Sequence, residues 1–96
     1  MLVPSGRLGH LPGGDLAESG IRDLEQGVES PAALLVTSFA ERLRRAGIEV
    51  PARPIDDPEH RLYLLLVAED AEAAHGRYNS LIRRLVSFAR ALECAS

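Results

Sequence analysis

The sequence predicts an all-α protein, a small bundle of about four helices with an extended N-terminal arm and a proline-rich connector. Three observations carry this reading. His60, Leu64, Val67, Ala71, Ala74, Tyr78, Leu81, Leu85, Phe88 and Leu92 recur at alternating steps of four and three residues. That spacing lines ten side chains along one side of a helix. No proline follows Pro58 in the 96-residue chain, so nothing in the last third forbids helix. Ser30-Pro31 and Asp57-Pro58 each set a capping side chain before a proline in the first turn, a common way to start a helix.

Residues 1–14 hold Pro4, Gly6, Gly9, Pro12, Gly13 and Gly14, too many breakers for a regular element. They read as an arm that either frays or docks through Leu2, Val3, Leu8 and Leu11, with residues 15–96 forming a single helical domain. The first helix is expected over 15–26, with Asp15 and Glu18 at capping-box-like spacing and Gly27 as its stop. Ala17, Ile21, Leu24 and Val28 form its apolar edge, and Gly20 weakens the interior by roughly 1 kcal/mol relative to alanine. The second helix is expected over 31–46, ending at Gly47. Arg42, Arg44 and Arg45 in its last turn complement the helix dipole.

Residues 48–57 contain Pro51 and Pro54 and form a connector that tucks Ile48, Val50 and Ile55 against the bundle. A third helix is expected over 58–70 and a fourth over 77–93. A single rod from Pro58 to Glu93 would be about 54 Å long, which favours a break between them, at Asp70 as a new cap or at Gly76. Leu62 to Ala68 is apolar on every side, which predicts a helix surrounded by its own bundle or by another copy.

Composition narrows the function classes. A chain of 96 residues with four aromatics must build one core from Leu, Val, Ile and Ala. The net charge of −3 disfavours nucleic acid as the main partner. All eleven basic residues are arginine, and Asn, Gln, Thr, Met and Cys occur once each, which fits a GC-rich genome or a heat-loving source. The lone Cys94 excludes an intrachain disulfide and fits a reducing cytoplasm. The first residues lack the charged start and apolar run of a secretory leader. The longest apolar stretch, seven residues, is far short of a membrane span.

No catalytic constellation, metal site or cofactor is expected. His10, His60 and His75 include no closely spaced pair of the kind zinc sites use. The Gly13-Gly14 pair lacks the Lys-Ser/Thr of a phosphate loop. Arg53 and His60 have an Arg-x6-His spacing that resembles the ribonuclease motif of HEPN domains, themselves small helical bundles. In that family the motif lies on an active-centre helix, whereas Arg53 stands between two prolines, so the activity is not carried over.

Three residue sets remain as candidates. Leu62, Leu64, Leu66, Leu85, Phe88 and Leu92 form an apolar excess that calls for a homo-oligomer or a protein partner. Arg77, Arg83, Arg84 and Arg90 share one side of the last helix and could bind anions through bidentate guanidinium contacts. Tyr63, His75, Tyr78 and Asn79 gather near the expected bend between the last two helices and form either a small polar pocket or a capped turn. The leading expectation is a non-enzymatic interaction or assembly module. The alternative is a nucleic-acid-associated regulator or ribonuclease-type partner using the arginine side.

Overall fold

Two helical hairpins, laid against each other, make up the molecule. The structure, a computed structural model, describes residues 10–53 and 55–95. The arm expected over 1–14 therefore lies outside the described residues for its first nine positions.

The first hairpin is α1, Gly14–Glu25, and α2, Pro31–Ser38, continued by a short α3, Ala40–Arg45. Helix α1 starts one residue before Asp15, on Gly13. Its φ of 71° is left-handed, and no side chain caps the helix. Asp15 stays in the first turn, where its charge suits the dipole. The end of α1 follows the anticipated glycine stop: Val28 N–H bonds the Asp23 carbonyl and Gly27 N–H bonds that of Leu24, with Gly27 at φ 75°. Val28 thus falls beyond the helix, and its expected place on the apolar edge is corrected: it is 47% exposed.

Ser30 caps α2 as anticipated, its Oγ accepting from Ala33 N–H at 3.1 Å and donating to the Asp23 carboxylate. One hydroxyl thereby fastens the start of α2 to the end of α1. Ser30→Ala is expected to lower stability by about 1 kcal/mol, read as a shift in the urea midpoint.

The helix expected over 31–46 is interrupted at Phe39. Thr37 Oγ1 donates to Ala33 O at 2.8 Å and Ser38 Oγ to Leu34 O at 2.9 Å. Two hydroxyls folded back on the preceding turn loosen a helix, and the Phe39 N–H divides itself between the carbonyls of Leu35 and Val36. Beyond the end of α3 the chain turns at Gly47, φ 97°, with Ile48 N–H returning to Leu43 O. Beyond it the connector buries Ile48 and Val50 and packs Ile55 against the core. Arg44 clamps it by donating to the carbonyls of Val50 and Pro51.

The second hairpin is α4, Pro58–Glu69, and α5, Ala74–Ala95. Asp57 is the N-cap residue of α4 but sits at φ 50° with no side-chain cap bond, so Pro58 and the backbone set this start. The break between the helices is at Asp70, which is extended, and its Oδ1 accepts from the N–H groups of Glu72 and Ala73. Gly76 lies inside α5 facing open space and breaks nothing.

Helix α2 packs on α1, α4 and α5, α4 packs on α5, and α1 closes against α5. Helices α1 and α2 approach closely at Gly20, where a Cβ would lie 2.4 Å from both the Ala32 carbonyl oxygen and Val36 Cγ2. Among the described residues the core is entirely apolar, with no buried polar or charged side chain.

The heptad-like stripe changes sides at the bend. In α5 its members Ala74, Leu85, Phe88 and Leu92 are buried. In α4 the buried residues are Leu62 and Leu66, and the stripe turns outward: His60 and Ala71 are exposed and Leu64 is 52% exposed. A reversal of chain direction severs a stripe that is continuous in sequence. Within one chain α4 is covered on one face only, so the chain's own bundle does not surround Leu62–Ala68.

Candidate functional site

Of the five leucines and one phenylalanine that predicted company, Leu62, Leu66, Leu85, Phe88 and Leu92 lie in the core of one chain. Leu64 stands apart from them. It sits roughly 160° round α4 from Leu62 and Leu66, on a face shared with His60, Val67 and Ala68. Beside it, between α4 and the start of α2, is an open hollow of about 510 Å³ lined by Glu29, Leu34, Arg61, Leu64, Leu65 and Ala68. The Arg61–Glu29 ion pair at 2.6 Å forms its rim. On the far side of Glu29 a second groove, of about 680 Å³, runs between the end of α1 and the connector, with Val28, Pro51, Ala52 and Ile55 in its walls. Val28 and Leu64, the two exposed large apolar side chains among the described residues, thus flank one exposed ion pair. Val28 was not legible as a surface residue, because its spacing fits α1 and only the glycine stop removes it.

The arginine side of α5 is partly neutralised. Arg77 donates to Glu69 at 3.0 Å across the bend, and Arg84 reaches Asp15 of α1 at 3.2 Å. Arg83 and Arg90 are exposed, with no ion pair among the described residues. At the other end of α5, Arg42 grips Glu93 with two hydrogen bonds of 2.8 and 2.9 Å. The Arg42 hydrogen bond holds the Glu93 carboxyl below its ordinary value, helped by the charges of Arg42, Arg45 and Arg90, and Glu93 in turn raises Arg42. A lowered carboxylate stabilises the fold above its unfolded value and ceases to as the pH falls through the folded one. Solvent screening keeps the contribution of such an exposed pair small.

The polar set at the bend resolves into two pairs. The rings of Tyr63 and Tyr78 meet edge to face, with centroids 5.6 Å apart and planes at 81°. Tyr78 Oη donates to Glu59 at 3.5 Å, and partial burial followed by the Glu59 charge raises its phenol. His75 Nε2 and Asn79 Nδ2 lie 3.2 Å apart, one turn along the exposed side of α5. The Tyr63–Tyr78 and Tyr78–Glu59 contacts brace the α4–α5 hairpin, while the His75–Asn79 pair lies within α5.

Arg53 and His60 share no element. The Arg53 guanidinium lies over Gly27 at the end of α1, and His60 is on the outer side of α4. Among the described residues no group of three His, Cys, Asp or Glu is arranged to hold a metal. No helix of the described residues is long and apolar enough to cross a membrane.

Fold and surface together define an all-α protein in which, among the described residues, Leu64 is the one exposed leucine, on the outer face of α4. Comparison with protein-family models, curated proteins and solved structures finds no match to this chain.

Proposed function

We propose that this protein is a non-enzymatic protein–protein interaction module of the cytoplasm, and that the outer face of α4 is its docking surface. The observation that carries the reading is the two-sidedness of α4. Leu62 and Leu66 serve the chain's own core, while Leu64 and Ala68 stay exposed on the outer face, with Val67, partly buried against the core, at its edge. An exposed leucine alone means little. Here it stands beside a hollow and near a second exposed aliphatic, Val28, with an ion pair between them. Apolar centres rimmed by charge are common in protein interfaces.

A photo-crosslinking amino acid placed at position 64 in the cell tests this directly, with the same residue at position 83 on the arginine side as control. A discrete crosslinked product from 64 and none from 83 is expected. No product from 64, at expression levels that give none from 83, removes the docking reading.

A further inference from the structure

We infer that the groove between the end of α1 and the connector binds a small aliphatic α-amino acid, its carboxylate taken by Arg53 and its ammonium by Glu25. This site is separate from the α4 docking face and does not depend on it.

The groove has the size and walls for such a ligand. Its volume of about 680 Å³ falls within the range of roughly 300–1,000 Å³ found for small-molecule sites. Leu24, Val28, Pro51 and Ile55 give it aliphatic walls. Val28, at 47% exposed, is apolar surface that an aliphatic side chain would cover.

Two charges line this groove, and the chain satisfies neither. Arg53 makes no ion pair or side-chain hydrogen bond among the described residues. Its Nη1, Nη2 and Cζ would lie 3.5, 3.6 and 3.7 Å from a Cβ at Gly27. Distances so nearly equal lay the guanidinium almost flat over the glycine. Its N–H bonds lie in that plane, so they run beside the backbone rather than into it. The negative end of α1 favours a cation at this place. A planar fork with free donors suits a carboxylate, which it grips through two parallel hydrogen bonds.

Glu25 stands at the wrong end of its helix. It is the last residue of α1, where the dipole disfavours negative charge, and no ion pair among the described residues offsets it. An ammonium group from outside would. The other acid of the groove, Glu29, is already held by Arg61 at 2.6 Å. Arg53 and Glu25 do not come within the 4.0 Å of an ion pair, so they are two separate anchors of opposite sign. A simple ion would engage only one of them. A free amino acid presents both charges, with a side chain for the walls.

Titration of the isotope-labelled full chain with L-leucine, followed through the amide signals of Gly27 and Val28, reads the site. Saturable shifts are expected, with a dissociation constant on the order of 1 mM for a small ligand in an open groove. Isocaproate, which lacks the ammonium, and isopentylamine, which lacks the carboxylate, should each bind about fivefold more weakly or worse. Arg53→Gln should weaken leucine and isocaproate and spare isopentylamine; Glu25→Gln should weaken leucine and isopentylamine and spare isocaproate. Glu25→Gln should also raise the melting temperature of the ligand-free protein, because it removes a charge that its helix end disfavours. Both side chains are exposed, so the helical circular-dichroism signal should stay the same in both variants. Absence of shifts at tens of millimolar leucine overturns the inference, as do shifts that survive both substitutions.

Discussion

Phe88→Ala is expected to remove about 3–5 kcal/mol of stability, the range found when a buried aromatic is cut back to a methyl. Phe88 is fully buried midway along α5. It also packs beneath the start of α1, where a Cβ at Gly13 would lie 3.3 Å from its own Cβ. The helices around it cannot close the space. The chain at Gly13 already rests on the backbone of α5, where a Cβ would meet the Arg84 carbonyl oxygen at 2.3 Å. A domain of this size holds about 5–15 kcal/mol in all, so the loss is large enough to populate unfolded chain at ordinary temperatures. Urea titration followed by circular dichroism measures it. Phe88→Leu, which keeps most of the volume, is expected to cost less than about 2 kcal/mol. A Phe88→Ala protein with an unshifted midpoint would show that α5 does not pack as described.

Gly20→Ala is the second substitution, and local and tertiary structure give it opposite signs. Within α1 alone, alanine should stabilise by roughly 1 kcal/mol. The α1–α2 contact reverses that sign, because the new Cβ would sit 2.4 Å from a main-chain oxygen at Ala32. A flexible side chain could swing aside; a carbonyl inside a helix moves only with its helix. The two helices must part, and overpacking of this kind typically costs about 1–3 kcal/mol. A net loss of about 1–3 kcal/mol is expected in thermal unfolding. A gain in melting temperature would mean that α1 and α2 are further apart than the structure places them.

Most of the fold was written locally and could be read that way. Ser30-Pro31, Gly27, Gly47 and Asp70 mark element ends through chemistry confined to a few neighbours, and each acts where its pattern said it would. The interruption at Phe39 was less legible, since Thr37 and Ser38 tolerate a helix as readily as they loosen one. The tertiary role of Gly20 was not legible, because a residue that weakens its own helix can be what lets that helix approach another. The candidate surface was the least legible. Leu62, Leu64 and Leu66 are chemically identical and two residues apart, and only the position of α2 and α5 decides which point inward. The stripe that suggested a missing partner is half satisfied by the chain's own hairpin, and one outward turn of α4 is what remains of it.

An interior of pure hydrocarbon has its own consequence for how this chain keeps to one arrangement. Oil does not discriminate: a leucine is nearly as content against one neighbour as against another, and among the described residues nothing polar inside punishes a slipped helix. Steric notches do that here. Gly20 admits α2, and Gly13 admits α5, at one height each; a sideways slide of one turn would drive a methyl or a leucine into main-chain oxygen. Two absent side chains thus act as the keyways of the molecule. Filling either should loosen the uniqueness of the fold as well as its strength.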